Sequence, residues 1–236
     1  MRKLFFLPFF IMMLQAMAGC NKQSNSVYLP AAVNDTLHKN LLALGDSYTI
    51  GQSVAASDRF PAQAVSMLLN DSIIFSTPEY IAVTGWTTRN LLNSINSNPP
   101  TRNDYDFVTL LIGVNNQYQG LSQPAYPTEF TNLLNTAIRY AGNRSSRVAV
   151  LSIPDWSVTP FANGYDTAFI RKQIDSFDVI NKQITLAKAV HYIDITQSTR
   201  MALYDRSLLA ADRLHPSGKE YKKWATMLAV YMRSVL

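Results

Sequence analysis

Cysteine is almost missing from this chain: Cys20 is the only one in 236 residues. A single thiol excludes an internal disulfide framework and leaves no sulfur ligand for a metal beyond residue 20. Histidine is nearly as scarce, with His38, His191 and His215 as the full set. There is no His-Glu-x-x-His and no other three-ligand spacing, so neither a metal nor a cofactor is expected. Charged residues make up only 16% of the chain, with 21 Lys and Arg against 16 Asp and Glu. The basic residues are scattered, which argues against a nucleic-acid partner. No Walker sequence and no Gly-x-Gly-x-x-Gly occurs, so a nucleotide binder is not expected either. The Gly-x-Ser-x-Gly elbow of α/β-hydrolases is absent around Ser47. No second linker and no internal repeat breaks the chain. The apolar content, 47%, is that of a globular protein with a sizeable core.

The N-terminus carries a pattern of its own. Met1-Arg2-Lys3 is basic, and residues 4–18 are apolar apart from Pro8 and Gln15. That run is too short for a comfortable membrane span and fits a secretory signal. It ends in Met17-Ala18-Gly19-Cys20, small residues before a cysteine, which resembles the bacterial lipobox with Met17 where Leu is usual. The resemblance implies loss of residues 1–19, lipidation of Cys20, and an exported protein anchored by acyl chains without a spanning helix. An ordinary signal peptide with a chance cysteine is the alternative. Asn21 follows the cysteine where an inner-membrane retention signal would place Asp. The expected location is therefore periplasmic or cell-surface, with the outer membrane preferred. Residues 20–38 read as a lipidated, polar tether, and 39–236 as one domain, expected to be a monomer.

Within that domain, short apolar runs alternate with helical stretches. Strands are expected at 41–44, 80–83, 107–112, 147–153 and 190–193. Helices are expected at 60–70, 87–96, 128–140, 167–187 and 217–235. Five strand–helix alternations argue for an α/β fold: a parallel sheet with helices on both faces. Such sheets carry their chemistry in the loops past the carboxyl ends of the strands. Ser47 follows the first run, Gly85 the second and Asn115 the third, while Asp212 and His215 precede the last helix.

These residues suit nucleophilic catalysis. A serine hydroxyl needs a base to take its proton and donors to hold the developing oxyanion. Histidine is the usual base, and a carboxylate orients it. His38 falls in the presumed tether and His191 opens an apolar strand. His215 sits three residues after Asp212, and Pro216 is placed to fit the first turn of the last helix. Taken singly, each feature has a plainer reading. Asp-x-x-His is more often a surface turn, and Gly85 and Asn115 could be turn residues.

Together the blocks resemble the SGNH (GDSL) hydrolase family. The matching segments are Gly45-Asp46-Ser47, Gly85 after the second strand, Gly113-Val114-Asn115-Asn116, and Asp212 to His215, in the family's order. The resemblance implies a flavodoxin-like three-layer α/β/α sandwich with a central five-stranded parallel sheet. It implies Ser47 as nucleophile, His215 as base and then acid, and Asp212 as its orienter. The backbone N–H groups of Ser47 and Gly85 and the side-chain amide of Asn115 would form the oxyanion hole. Two positions need comment. Asn116 stands where the family has Asp, and as an isostere it can still accept a bond that holds the loop. Asp46, beside the nucleophile, is expected to bond backbone groups that shape the turn.

The implied activity is carboxylic ester hydrolysis through an acyl-enzyme on Ser47. Tyr48, Trp86, Tyr118 and Trp156 are aromatics near the reactive edge that could stack on sugars, line an acyl pocket, or pack as core. Small-molecule or glycan esters are the expected substrates, with acetylated carbohydrate preferred for an exported esterase. Lysophospholipids and short acyl esters are alternatives. A catalytically inactive glycan-binding lipoprotein and a metal-dependent hydrolase are the readings of another class.

Overall fold

The computed structural model describes residues 38–120 and 123–236. The leader, Cys20 and the tether up to residue 37 lie outside the described residues. Lys39 is already hydrogen-bonded into the domain: its N–H donates to the Ile74 carbonyl at 2.8 Å, and its own carbonyl accepts from Ser76 at 2.9 Å.

Five strands form one sheet: β1 (Leu41–Gly45), β2 (Glu79–Ala82), β3 (Phe107–Leu111), β4 (Val148–Leu151) and β5 (His191–Ile193). Every pairing is parallel and the order is β2-β1-β3-β4-β5. This is the flavodoxin-like order, in which the chain reverses direction across the sheet between β1 and β3. The central strands β1, β3 and β4 are buried along their whole length, which is why, Thr109 apart, they read as unbroken apolar runs. The edge strands β2 and β5 are mostly half-buried and have weaker sequence signals.

The main helices are α1 (Phe60–Leu68), α2 (Thr88–Ser97), α4 (Tyr126–Tyr140), α5 (Thr167–Ala187) and α7 (Gly218–Val235). Two short helices, α3 (Val114–Tyr118) and α6 (Thr196–Arg200), follow β3 and β5. One layer pairs α1 with α7, and the other runs α2, α4, α5. Between α1 and α7, Phe60, Tyr221 and Trp224 meet with ring centroids 5.0–6.3 Å apart, all fully buried. Truncating Trp224 to Ala would cost about 3–5 kcal/mol. Across the sheet, Tyr126 packs edge-on against Phe177 at 4.5 Å and stacks on Phe130 at 5.7 Å. Its hydroxyl donates to Asn181 Oδ1 at 2.5 Å, so the buried phenol is satisfied. Among the described residues no helix is long and apolar enough to cross a membrane.

Local chemistry sets the helix starts. Thr87 caps α2 through a reciprocal box with Asn90, so the expected first helical residue is its N-cap. Asp166 caps α5 by accepting from the Phe169 N–H at 2.9 Å. The segment after β3 is the short helix α3, an element that no period in the sequence announced. One expectation requires correction. Pro216 does not open the last helix: α7 begins at Gly218 behind its N-cap Ser217. Pro216 instead forms an isolated antiparallel bridge with Leu209. His191, on the edge strand β5, stacks on Tyr231 of α7 at 3.7 Å, both rings half-buried.

Candidate active site

The site forms where β1 and β3 end. Gly45 closes β1 at a point where a Cβ would run into the Thr49 side chain and the Leu111 carbonyl, so the chain passes too near β3 for any other residue. Asp46 then turns the chain back. Its carbonyl accepts from the N–H groups of Thr49 and Ile50, and its Oδ1 accepts from the Tyr48 N–H at 3.0 Å. This is the turn-shaping role expected for it. Ser47 is held at the head of that turn, only 4% exposed.

His215 reaches Ser47 from the opposite side of the cleft. The loop that carries it is a small hairpin: the Ala210 N–H donates to the His215 carbonyl, and Ser217 N–H to the Leu208 carbonyl, each at 2.8 Å. Arg213 takes the left-handed conformation (φ 62°) at the bend. Asp212 Oδ1 accepts from the N–H groups of Leu214 (3.0 Å) and His215 (2.9 Å), which fixes the carboxyl against the imidazole. His215 Nδ1 then lies 2.7 Å from Asp212 Oδ2, and Nε2 lies 2.9 Å from Ser47 Oγ. The three side chains form one hydrogen-bonded line. The Tyr48 ring packs on the imidazole at 4.8 Å and limits its tilt.

The electrostatics follow burial. Desolvation lowers the pKa of His215 below its ordinary value, partly offset by the Asp212 carboxylate. The imidazole is therefore neutral at pH 7 and able to accept a proton. Burial alone would raise Asp212, but hydrogen bonds from Ser53, the Leu214 and His215 N–H groups and the imidazole hold it down to about 2. Asp46 is more deeply buried and has fewer donors. Its burial pushes the carboxyl up to about 7, against the opposing bonds from Tyr48 and Asn115.

Gly85 and Asn115 come together with Ser47 at one cleft. Gly85 adopts φ +81°, a conformation that glycine takes freely, and a Cβ there would meet nothing. Its role is thus conformational. Among the described residues neither the Ser47 N–H nor the Gly85 N–H has a protein acceptor. Asn115, in α3, directs Nδ2 to the Trp86 carbonyl at 3.0 Å and to Asp46 Oδ2 at a long 3.3 Å. Asn116 does more than an isosteric Asp could. Its Oδ1 accepts from the Thr88 N–H at 3.0 Å, and its Nδ2 donates to Thr88 Oγ1 at 2.8 Å. The Thr88 hydroxyl in turn donates to Glu129. The amide links α3 to the start of α2 with both of its ends.

Ser47, Gly85, Asn115 and His215 line a cleft of about 240 Å³. One wall is aromatic. Tyr118 and Phe161 are exposed on it, and Trp156 lies behind, 5.4 Å from Tyr118 and 5.9 Å from Phe161. Trp156 Nε1 donates to Gln117 Oε1 at 2.7 Å, and Gln117 Nε2 to Gln173 Oε1 at 2.9 Å, so the indole is locked. Trp86 is not part of the wall. It packs half-buried against the core and contributes its carbonyl to Asn115. Sequence reasoning did not single out Phe161, Leu214, Gln52 or Thr84, all of which line the cleft. Leu214 lies within the Asp212–His215 block and Thr84 precedes Gly85, whereas Gln52 and Phe161 sit outside the blocks and only the folding of the chain brings them there. Among the described residues no three His, Cys, Asp or Glu side chains form a group that could hold a metal.

The sequence matches the family described as GDSL-like lipase/acylhydrolase over residues 43–223. No curated protein sequence matches. Solved structures of similar fold include a family 3 carbohydrate esterase from Clostridium thermocellum (19% identity, TM-score 0.64, 84% of this chain and 96% of the other). The acetylxylan esterase Axe2 from Geobacillus stearothermophilus has a TM-score of 0.60 at 18% identity, covering 83% of this chain and 95% of its own. A lipase/acylhydrolase from Enterococcus faecalis follows at 0.59 and 19%, covering 83% and 96%.

Proposed function

The chain belongs to the GDSL-like lipase/acylhydrolase family and is a carboxylic ester hydrolase, and from that premise we propose that Ser47 is its nucleophile. The observation that carries the reading is the unbroken line Ser47 Oγ–His215–Asp212, with contacts of 2.9 and 2.7 Å. His215 Nε2 takes the Ser47 proton as Oγ bonds to the ester carbonyl carbon. The oxyanion is held by the N–H groups of Ser47 and Gly85 and by Asn115 Nδ2, which exchanges its long contact to Asp46 for the substrate oxygen. His215 returns the proton to the departing alcohol, leaving an acyl-serine. Water, deprotonated by His215, releases the acid and restores Ser47. Asp212 keeps Nδ1 protonated and offsets the imidazolium charge.

The substrate that fits best is a short acyl ester, acetyl above all, on a carbohydrate. A cleft of about 240 Å³ is smaller than the roughly 300–1,000 Å³ of sites that enclose larger ligands. The exposed Tyr118 and Phe161 rings offer flat apolar faces on which a sugar ring can lie. Their relatives in fold include two carbohydrate esterases, which adds analogy to the argument. We further propose that the enzyme is exported and anchored through acylated Cys20, with the outer membrane as its site.

The test is hydrolysis of p-nitrophenyl acetate by wild type and Ser47→Ala, followed by p-nitrophenyl esters of graded chain length and acetylated xylo-oligosaccharides. Ser47→Ala is expected to lose activity by about 10⁴-fold or more. Equal rates for the two proteins would remove Ser47 from the mechanism. A preference for eight-carbon over two-carbon acyl chains would turn the substrate reading towards lipid esters. For the anchor, Cys20→Ser is expected to abolish acyl labelling and release the protein from membranes. A mutant still labelled and membrane-bound defeats that reading.

A further inference from the structure

The segment after the nucleophile does not simply leave the site. The Ser47 carbonyl accepts from the Gln52 N–H at 3.0 Å, and Gly51 turns the chain at φ +62°. Ser53 follows in the left-handed conformation, φ +67°, one of five described residues other than glycine that do so. A residue with a Cβ is disfavoured there, and nothing in the turn itself requires a serine. What the strained backbone achieves is the aim of the side chain. Ser53 Oγ donates to Asp212 Oδ2 at 2.6 Å, across 159 residues of sequence. This is the same carboxylate oxygen that faces His215 Nδ1.

We propose that Ser53 is a positioning residue for the hydrolytic reaction, a fourth hydrogen-bonded group that holds the Asp212 carboxylate in the plane of the His215 imidazole. The inference rests on the assignment of Ser47, His215 and Asp212 made above. One short loop, 47–53, then grips both ends of the relay: Ser47 meets Nε2 and Ser53 braces the carboxylate beyond Nδ1. The bracing is needed because the Asp212 side chain is 26% exposed, and water could otherwise draw it out of line. Two backbone N–H groups fix Oδ1, whereas among the described residues Oδ2 has only the imidazole and Ser53. Sharing Oδ2 also tempers the basicity that Asp212 lends to His215. The groups facing the imidazole are Asp212 on its own loop and Ser47 and Tyr48 on the nucleophile turn.

Ser53→Ala and Ser53→Gly, made in the full chain, separate the hydroxyl from the backbone. Both lack the donor, but glycine accepts φ +67° freely. Both variants are expected to lower kcat on p-nitrophenyl acetate about tenfold, with KM within about twofold. Both should move the acid limb of kcat/KM upward by about half a pH unit, as the unshared carboxylate favours the imidazolium. Thermal melts establish that each variant is folded. Wild-type kcat and an unmoved acid limb in both variants would overturn the proposal. So would a loss in Ser53→Ala that Ser53→Gly restores, since the backbone alone would then be the cause. Ser47→Ala in the same assay keeps the two readings apart. If it is inactive while the Ser53 variants match wild type, only the role of Ser53 falls. If it retains full activity, the underlying mechanism falls with it.

Discussion

Asp46 and Asp155 are both buried carboxyls just past a central strand, yet they are housed in opposite ways. Asp46, after β1, is fully buried, and among the described residues it forms no ion pair. Its partners are the Tyr48 N–H and the Asn115 amide, and burial lifts it to about 7. Asp155, after β4, is 1% exposed and faces two guanidinium groups: Arg200 Nε at 2.8 Å and Arg171 Nε at 3.6 Å. Arg200 extends the network to Asp175 at 2.6 Å. The domain thus keeps fixed cations away from Asp46 and gathers them on Asp155. Beside Ser47 it uses dipoles and amide donors, which can be aimed at a charge that appears only during reaction. A fixed cation pair there would already be spent on its partner. On the β4 side no charge has to develop, and a full ion network can lock the loop that carries Trp156.

If that contrast is right, removing the two kinds of partner has different consequences. Asn115→Ala should reduce kcat by about 10²–10³-fold, some 3–4 kcal/mol in the transition state, while the melting temperature changes little. A kcat within threefold of wild type would show that the amide is structural. Arg200→Ala leaves Asp155 buried beside the more distant Arg171, and should cost about 3 kcal/mol of stability in urea unfolding. Its kcat at a temperature where it is folded should stay near wild type, and a kcat loss as large as that of Asn115→Ala would break the comparison. Asp46→Asn should lower kcat about tenfold. Its amide oxygen can serve Tyr48, which leaves an NH₂ facing the NH₂ of Asn115, and the displaced Asn115 then misses the oxyanion. Steady-state kinetics with a folded protein decides it.

The smallest effect concerns Asp178, a half-buried carboxyl on the β4–β5 side that forms no ion pair among the described residues. Burial lifts it to about 7, against bonds from the Ile153 N–H and Thr196. Its folded pKa lies above the unfolded one, so the native state holds the extra proton between pH 4 and 7. Stability from this group is greatest at low pH and declines as pH rises through that window. His215 acts in the opposite sense, since its lowered pKa costs stability as pH falls below 6.5. The difference between wild type and Asp178→Asn cancels the histidine contribution. The variant should gain about 1 kcal/mol relative to wild type between pH 6 and pH 7 in urea titrations. A flat difference would mean that Asp178 is ionised throughout this range.

The sheet was easy to read in advance because its central strands are covered on both faces. Residues 41–44 and, Thr109 apart, 107–112 had to be continuous apolar runs, and glycine stopped each. The long helix α5 was legible to its ends, since the apolar period runs from an aspartate cap to Ala187. Helix α3 was not, because five residues rich in asparagine carry too few turns for a period to show. Pro216 was misplaced for a related reason. Proline suits both a first helical turn and an extended strand, and only the bridge to Leu209 selects the second. Of the site, Ser47, Gly85, Asn115, Asp212 and His215 were all visible as motif residues. Ser53 was invisible, because a serine six residues after another has no pattern until a loop 159 residues away arrives beside it.

By itself, then, the sequence determined the elements, their alternation and the residues able to do acyl-transfer chemistry. Those depend on local properties: apolar period, glycine freedom and side-chain functional groups. The tertiary structure alone decided which oxygen of Asp212 is shared, which aromatics form a wall and which buried carboxyl goes without a cation. Each of these is set by the meeting of segments far apart in the chain, where burial and distance, not composition, fix the energy of a charge.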